Sequence, residues 1–251
     1  MRNLRAAIVF LTRVPVPISG EPNQAAAVPW FPVAGALVGL AAGGAMAGLV
    51  HLVPALVAAS LTVLLGLYIT GAFHEDGLAD VADAFAGGWT PEARLRIMKD
   101  PLHGTYGVAA MCGSIVLRIA CVATLGVSPA AAFAALVAAH TLGRTGAVVL
   151  MTAVRPARAD GLGIDAARSL RRSSALIGVA AGVSIAAVAT GWWVGPFLLA
   201  LIASILIVGK LAIGKIGGIS GDVLGTVEQV IECLVLVVAT GLATRYTLWW
   251  R

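Results

Sequence analysis

Long apolar runs dominate the chain, and short polar segments separate them. Seven of these runs come close to the roughly 20 residues that an α-helix needs to cross a bilayer. They lie at 30–50, 54–73, 104–126, 129–153, 174–192, 195–214 and 223–243. The pattern predicts an all-α fold, a polytopic transmembrane helical bundle of about seven spans, in which residues 1–251 form a single integral membrane domain.

The N-terminus carries a shorter apolar run, MRNLRAAIVFLTRVPVP. Arg13 interrupts it, two prolines follow, and no small-residue cleavage site appears, so a cleaved signal peptide is not expected. The run instead predicts an amphipathic N-terminal segment that lies along the membrane interface.

The connections between the apolar runs are of two kinds. The short ones, which contain no Asp, Glu, Lys or Arg, lie near 51–54, 126–129 and 192–195. The long and charged ones are the N-terminal segment, 74–103, 154–173 and 214–222. This alternation places all charged connections on one side of the membrane, and the positive-inside rule makes that side cytoplasmic. We therefore expect a multi-pass protein of the cell inner membrane, with its N-terminus and active site facing the cytoplasm.

The amino-acid composition is also typical of a protein embedded in the lipid bilayer. Of the 251 residues, 59% are hydrophobic and 12% are charged, whereas a soluble domain has about 25% charged residues. This excludes an ordinary soluble domain, a disordered chain and a disulfide scaffold. The net charge is +5, but no basic stretch carries interleaved aromatic residues, so no nucleic-acid partner is expected.

Four of the twelve acidic residues lie between positions 75 and 83, where the second apolar run ends. Asp76, Asp80 and Asp83 stand at i, i+4 and i+7, positions that share one face of a helix. No Lys or Arg lies in this window to offset their repulsion. A hard cation among oxygen ligands would do so, which favours Mg²⁺, with Mn²⁺ as the second choice. The alternative is a solvated acidic helix end.

Polar and basic residues follow in the segment RLRIMKDPLHGTYG, which precedes the third apolar run. They are Arg94, Arg96, Lys99, Asp100, His103 and Thr105. Basic groups beside metal-binding carboxylates are what a phosphate or diphosphate substrate requires. The next helix opens at Thr105, and its N-terminus can also receive an anion. This segment therefore predicts the second half of a phosphate-handling site.

Later parts of the chain add further candidates. Arg155 and Gly161 belong to RPARADGLG, and Asp222 stands in the glycine-rich GGISGDVLG. Asp222 either completes a metal site or caps the last helix, and both alternatives stay open. Arg144 lies inside the fourth run, where a charge must be paired or wetted. It either pairs with Glu228 or Glu232 or reaches a substrate phosphate, and the role of Arg118 inside the third run is equally open.

Six motifs occur along the chain in a fixed order: FLTRVPVP, FPVAGALVG, HEDGLADVADAFAGG, RIMKDPLHGTYG, RPARADGLG and GDVLG. Together they resemble cobalamin synthase, the adenosylcobinamide-GDP ribazoletransferase family, from about residue 8 to residue 235. Family members often have His-Leu-Asp-Gly where this chain has His74-Glu75-Asp76-Gly77. This departure leaves the spacing of the aspartates intact.

The resemblance implies a Mg²⁺-dependent late step of coenzyme B12 assembly. The cobinamide-phosphate part of adenosylcobinamide-GDP is transferred to α-ribazole or its 5′-phosphate, and GMP is released. By similarity, Asp76, Asp80 and Asp83 become the metal-binding aspartates. The residues suit this chemistry, because a divalent metal can bridge diphosphate oxygens. Remaining phosphate charge would fall to Lys99, Arg94, Arg96 and Arg155. The general base stays open between Asp100, His103 and one of the aspartates.

Two other classes of protein compete with this interpretation. A membrane phosphotransferase of the CDP-alcohol type also uses aspartates at a helix end, but its signature needs Ala-Arg where this chain has Asp80-Val81. A transporter would bury isolated ionisable groups, as Arg118 and Arg144 are, but most polar residues here cluster on one face. Finally, Gly35, Gly39 and Gly43 form small-xxx-small repeats, which permit a close helix contact within the chain or between copies in a homo-oligomer.

Overall fold

The computed structural model of the chain describes residues 1–18, 20, 23–157 and 169–250. The predicted site residue Gly161 lies outside these ranges. The described residues form eleven α-helices: α1 (Arg2–Leu11), α2 (Gln24–Ala27), α3 (Phe31–Leu49), α4 (Ala55–Thr70), α5 (Phe73–Gly87), α6 (Pro91–Ile97), α7 (Thr105–Leu125), α8 (Pro129–Ala153), α9 (Arg172–Thr190), α10 (Val194–Ile216) and α11 (Gly221–Ala243). The predicted all-α bundle is confirmed, and each of the seven apolar runs coincides with a helix.

Five continuous helical segments of the described chain are long and apolar enough to cross a membrane, and the bent pair α4–α5 is a sixth. One of the five, Arg172–Ile216, contains both α9 and α10 in 45 residues. At 1.5 Å per residue it would measure about 68 Å if straight, more than twice the thickness of a bilayer core. It breaks at Gly191, whose φ is +61°, so that α9 and α10 form two separate antiparallel elements.

The helix connections gather at two opposite ends of the bundle. At one end the Arg13 amide donates to the Ile69 carbonyl, and the Arg155 and Ile219 backbones pair. At the other end the indoles of Trp249 and Trp250 donate to carbonyls in the last turn of α9. The charged connections therefore lie together, as their alternation along the chain predicts. We call this the charged end, the end that holds Arg13, α6, Arg155 and the start of α11.

Helix α8 forms the centre of the bundle, with nearly every residue from Ala131 to Met151 buried. Helix α3 packs against it through Gly35, Gly39 and Gly43, where a Cβ added at Gly39 would lie 2.7 Å from Val137 Cα. The small-xxx-small repeat thus serves a contact within the chain. The N-terminal helix α1 buries Ala6, Ala7 and Leu11 against α3 and the end of α8.

Gly39→Ala is expected to lower the melting temperature of the detergent-solubilised protein by roughly 3–10 °C. The added methyl group meets backbone atoms of α8, which cannot rotate away, and overpacking of this kind costs about 1–3 kcal/mol. Gly44→Ala on the same helix is the matched control, because no atom lies within 4 Å of a Cβ there. Equal melting temperatures for the two variants would contradict the proposed close packing.

The second apolar run and the aspartate segment do not form one straight helix. Helix α4 ends at Thr70, and α5 starts at Phe73 after a bend of 89°. Gly71 and Ala72 make the bend with φ angles of +68° and +55°, a region that glycine enters at little cost and alanine rarely adopts. The Arg13 side chain lies against Gly71. Helix α5 therefore leaves the axis of α4 and packs on α7 and α11.

Candidate active site

Helix α5 brings Asp76 and Asp80 to one face, as their spacing predicts. The Asp76 side chain is 61% exposed and the Asp80 side chain 12%. His103, from the connection before α7, lies between them. Its Nε2 is 3.2 Å from Asp76 Oδ1, and its Nδ1 is 3.4 Å from Asp80 Oδ1. The structure therefore joins two predicted metal ligands and a predicted catalytic residue in one cluster.

Asp83 shares the face but has a different partner. Its two carboxylate oxygens accept hydrogen bonds from the backbone amides of Gly104, at 2.6 Å, and Gly107, at 2.9 Å. Helix α7 has no side-chain cap of its own, so Asp83 satisfies amides that would otherwise lack a partner. A Cβ at either glycine would collide with the carboxylate. The three aspartates thus divide into a pair beside His103 and one residue that holds the start of α7.

Asp222 approaches α5 from the first turn of α11. The cap of α11 is Ser220, whose hydroxyl accepts from the Val223 amide, so the alternative in which Asp222 caps this helix is wrong. The Ser220 hydroxyl also lies 3.1 Å from Asp222 Oδ2. The backbones of α5 and α11 touch here, because a Cβ at Gly77 would be 3.0 Å from Asp222 Cα. Asp222 therefore stands next to the aspartate helix.

Negative charge accumulates around Asp80. Burial raises the pKa of its carboxyl from 3.8 to about 7, and the charges of Asp76 and Asp222 contribute to the rise. His103 lowers the pKa, and Asp83 adds a further small increase. A cluster in which burial and like charges disfavour an ionised carboxylate is one that a bound cation stabilises.

The donor set suits Mg²⁺ bound jointly with a substrate. Within the described ranges, no three His, Cys, Asp or Glu side chains form a ready-made metal cage. Mg²⁺ does not require one, since it is usually held by one or two carboxylates together with water and substrate phosphates. Asp76 and Asp80 supply such a pair, and Mn²⁺ accepts the same oxygen donors.

Two of the predicted phosphate-binding arginines contact the end of α10. Arg94 Nη1 donates to the Lys215 carbonyl at 2.8 Å, and Arg155 Nε donates to the Gly217 carbonyl at 3.3 Å. The last carbonyls of a helix lack partners within it, so cations bind there readily. Lys215 Nζ in turn donates to the Phe85 carbonyl. These contacts attach α6 and the segment after α8 to α10.

The remaining predicted residues lie on the surface of the charged end. Arg96, Lys99 and Thr105 are exposed, and Thr105 opens α7. Asp100 Oδ1 accepts from the Leu102 amide at 3.0 Å, which shapes the turn that leads to His103. Their roles toward a phosphate stay predictions.

Arg144 is paired inside the bundle and only 1% exposed. Its Nε lies 3.1 Å from Glu228 Oε2, and its Nη1 contacts Glu232. The structure thus resolves the open alternative in favour of the ion pair, here with both carboxylates. Because the Arg144 side chain is buried, it offers no accessible surface for the predicted contact with a substrate phosphate.

The pair belongs to a larger cluster that the sequence did not reveal. Arg118, whose role the sequence leaves open, lies 2.8 Å from Glu75 and 3.4 Å from Glu232. Both carboxylates are therefore its partners. The cluster, named here the buried ion network, consists of His74, Glu75, Arg118, His140, Arg144, Glu228 and Glu232. It connects α5, α7, α8 and α11. The i, i+4 spacing of His140 with Arg144 and of Glu228 with Glu232 was the available signal.

Comparison with known proteins assigns the chain to a family. The cobalamin-5-phosphate synthase family matches residues 3–240. Three similar proteins are named adenosylcobinamide-GDP ribazoletransferase. The one from Bradyrhizobium diazoefficiens is 43% identical over 94% of this chain and 92% of its own length. Those from Ralstonia pickettii and Chlorobaculum tepidum are 38% and 36% identical, over 93% and 95% of both chains. No solved structure matches the chain. The chain belongs to the cobalamin-5-phosphate synthase family.

Proposed function

We propose that this protein is an adenosylcobinamide-GDP ribazoletransferase. A ribose hydroxyl of the acceptor, one that is free in both α-ribazole and its 5′-phosphate, attacks the phosphorus attached to cobinamide. The diphosphate bond breaks, GMP leaves, and adenosylcobalamin or its 5′-phosphate is formed. The observation that carries the proposal is the Asp76–His103–Asp80 cluster at the charged end, in a chain whose relatives have this name.

The proposed roles follow from position. Asp76 and Asp80 would hold Mg²⁺, and the bound ion would supply positive charge beside the diphosphate and the departing GMP. Arg96 and Lys99 are exposed on the same connection and bind remaining phosphate charge. Among the candidate general bases, His103 is the one in contact with both aspartates, and it accepts the proton of the attacking ribose hydroxyl.

We also propose the membrane placement. Large apolar side chains, including Leu64, Val116 and Leu199, stay more than half exposed on the helices, and a lipid bilayer is the solvent that accepts them. The bilayer is the cell inner membrane, and the charged end faces the cytoplasm. A homo-oligomer would have to use a helix face other than the Gly39 face, which α8 covers.

The test is an assay of purified protein with adenosylcobinamide-GDP and α-ribazole, with Mg²⁺ or with excess EDTA. GMP and adenosylcobalamin should appear in equal amounts, and only with Mg²⁺. Parallel reactions with α-ribazole 5′-phosphate identify the preferred acceptor, and CDP-diacylglycerol with an alcohol tests the competing phosphotransferase class. Absence of product with both ribazole acceptors in the presence of Mg²⁺ would overturn the proposal.

A further inference from the structure

We propose that His74 is a positioning residue, which fixes the rotation of α5 and thereby the location of Asp76 and Asp80. The metal-site part of this inference rests on the proposed function. His74 stands two residues before Asp76 in the sequence. Its side chain lies on the other side of α5 from Asp76 and Asp80 and enters the buried ion network.

Few features within helix α5 determine the residue at which it begins. It follows the 89° bend, and its first turn has no side-chain cap. The residue before it, Ala72, has a φ of +55°, a conformation that an alanine does not adopt by preference. The register and rotation of the first turn must therefore come from contacts with other helices.

His74 makes two such contacts and is 1% exposed. Its Nε2 lies 2.9 Å from Glu228 Oε2 on α11, and its Nδ1 lies 3.2 Å from Arg144 Nη2 on α8. A guanidinium can only donate, so Nδ1 must accept, and the neutral ring carries its hydrogen on Nε2. Nε2 faces Glu228 at ion-pair distance, without the geometry of a hydrogen bond. The two partners thus select one tautomer and one ring orientation.

This attachment determines where the aspartates point. At about 100° per residue, Asp76 lies roughly 160° around the helix from His74, and Asp80 roughly 120°. With His74 bound inside the bundle, the aspartate face is directed away from it. Glu75 binds Arg118 at 2.8 Å and provides a second attachment, one residue further around the helix.

The crossing of α5 and α11 leaves little room for another rotation. A Cβ added at Gly225 would lie 3.3 Å from His74 Cα, and one added at Gly77 would lie 3.0 Å from Asp222 Cα. The backbones are thus in contact beside the His74–Glu228 ion pair, on the side toward the start of α11. A turn of α5 about its axis would therefore displace Asp76 and Asp80 from Asp222 and His103.

The experiment compares His74→Leu, His74→Gln and the control His51→Leu in the purified full-length protein. His51 is exposed in the connection between α3 and α4. Mn²⁺ affinity is measured by electron paramagnetic resonance, alongside kcat, KM for α-ribazole and the melting temperature. We expect His74→Leu to weaken Mn²⁺ binding and to lower kcat by about 10–100-fold, as loss of an outer-shell partner does in metal sites, with KM changed less than about twofold.

His74→Gln should recover most of both losses, because its amide can donate to Glu228 and accept from Arg144. If His74→Leu fails to fold, His74→Asn replaces it, since this shorter amide stays polar but does not reach both partners. A folded His74→Leu or His74→Asn protein with wild-type Mn²⁺ affinity would overturn the positioning role, and so would a wild-type protein that binds no Mn²⁺. Wild-type protein that binds Mn²⁺ but releases no GMP would instead refute the proposed function alone.

Discussion

Arg144→Met is expected to destabilise the protein more than any other single substitution in the bundle. Arg144 is fully surrounded by protein and lies against Glu228, Glu232 and His74. Methionine fills most of the volume but leaves two buried carboxylates without their shared cation. Removing one partner of a buried ion pair costs about 3–5 kcal/mol, a large part of the 5–15 kcal/mol that stabilises a typical protein.

The measurement is thermal unfolding of the purified protein in detergent. A loss of this size lowers the melting temperature by roughly 6–20 °C for a chain of this length. Arg96→Met makes the same chemical change at an exposed position and should leave the melting temperature within about 1–2 °C of wild type. Adding Glu232→Gln to Arg144→Met should restore part of the loss, because it lowers the excess negative charge left in the buried ion network.

A small effect of Arg144→Met, comparable with that of Arg96→Met, would show that water or a neighbouring proton compensates the carboxylates. The buried ion network would then contribute less to stability than its geometry indicates. The comparison of the single and double variants distinguishes this case, since a compensated network gives no recovery when Glu232 is neutralised.

The fold could be predicted from the sequence to the extent that it depends on local hydrophobicity. An apolar run of about 20 residues has few stable alternatives to a helix in lipid, and Pro129 marks the start of α8 as the apolar run does. The bend between α4 and α5 could not be predicted. It requires a positive φ at Ala72, which the local sequence does not favour and which packing against the rest of the bundle must impose.

The candidate site, like the fold, could be predicted only where it depends on local sequence. Spacing along one helix places Asp76 and Asp80 together, and the connection that passes through α6 to α7 brings His103 within reach. The role of Asp83 depends on Gly104 and Gly107 returning to α5, a contact between separate helices. Arg94 also binds a carbonyl 121 positions away in the chain. The partners of His74 and Glu75 became visible only once the direction of α5 was known.

Asp80→Asn is expected to reduce GMP release by about 10³-fold or more while the protein still folds and inserts. Asp80 is the least exposed of the paired aspartates, and Asp76, Asp222 and His103 all act on its charge. The amide has nearly the same shape, and a neutral side chain is easier to bury than a carboxylate. We therefore attribute the expected loss of GMP release to weaker cation binding and to weaker stabilisation of the departing phosphate oxygen.

The measurement is kcat with adenosylcobinamide-GDP and α-ribazole over a range of Mg²⁺ concentrations, with the melting temperature as the check on folding. Glu92→Gln, at an exposed acid in the first turn of α6, is the matched control and should retain wild-type turnover. If added Mg²⁺ restores Asp80→Asn fully, Asp80 contributes to affinity only, and Asp76 with the substrate phosphates holds the ion during transfer. Wild-type turnover at every Mg²⁺ concentration would remove Asp80 from the metal site, because no binding arrangement that uses its charge tolerates the amide without loss.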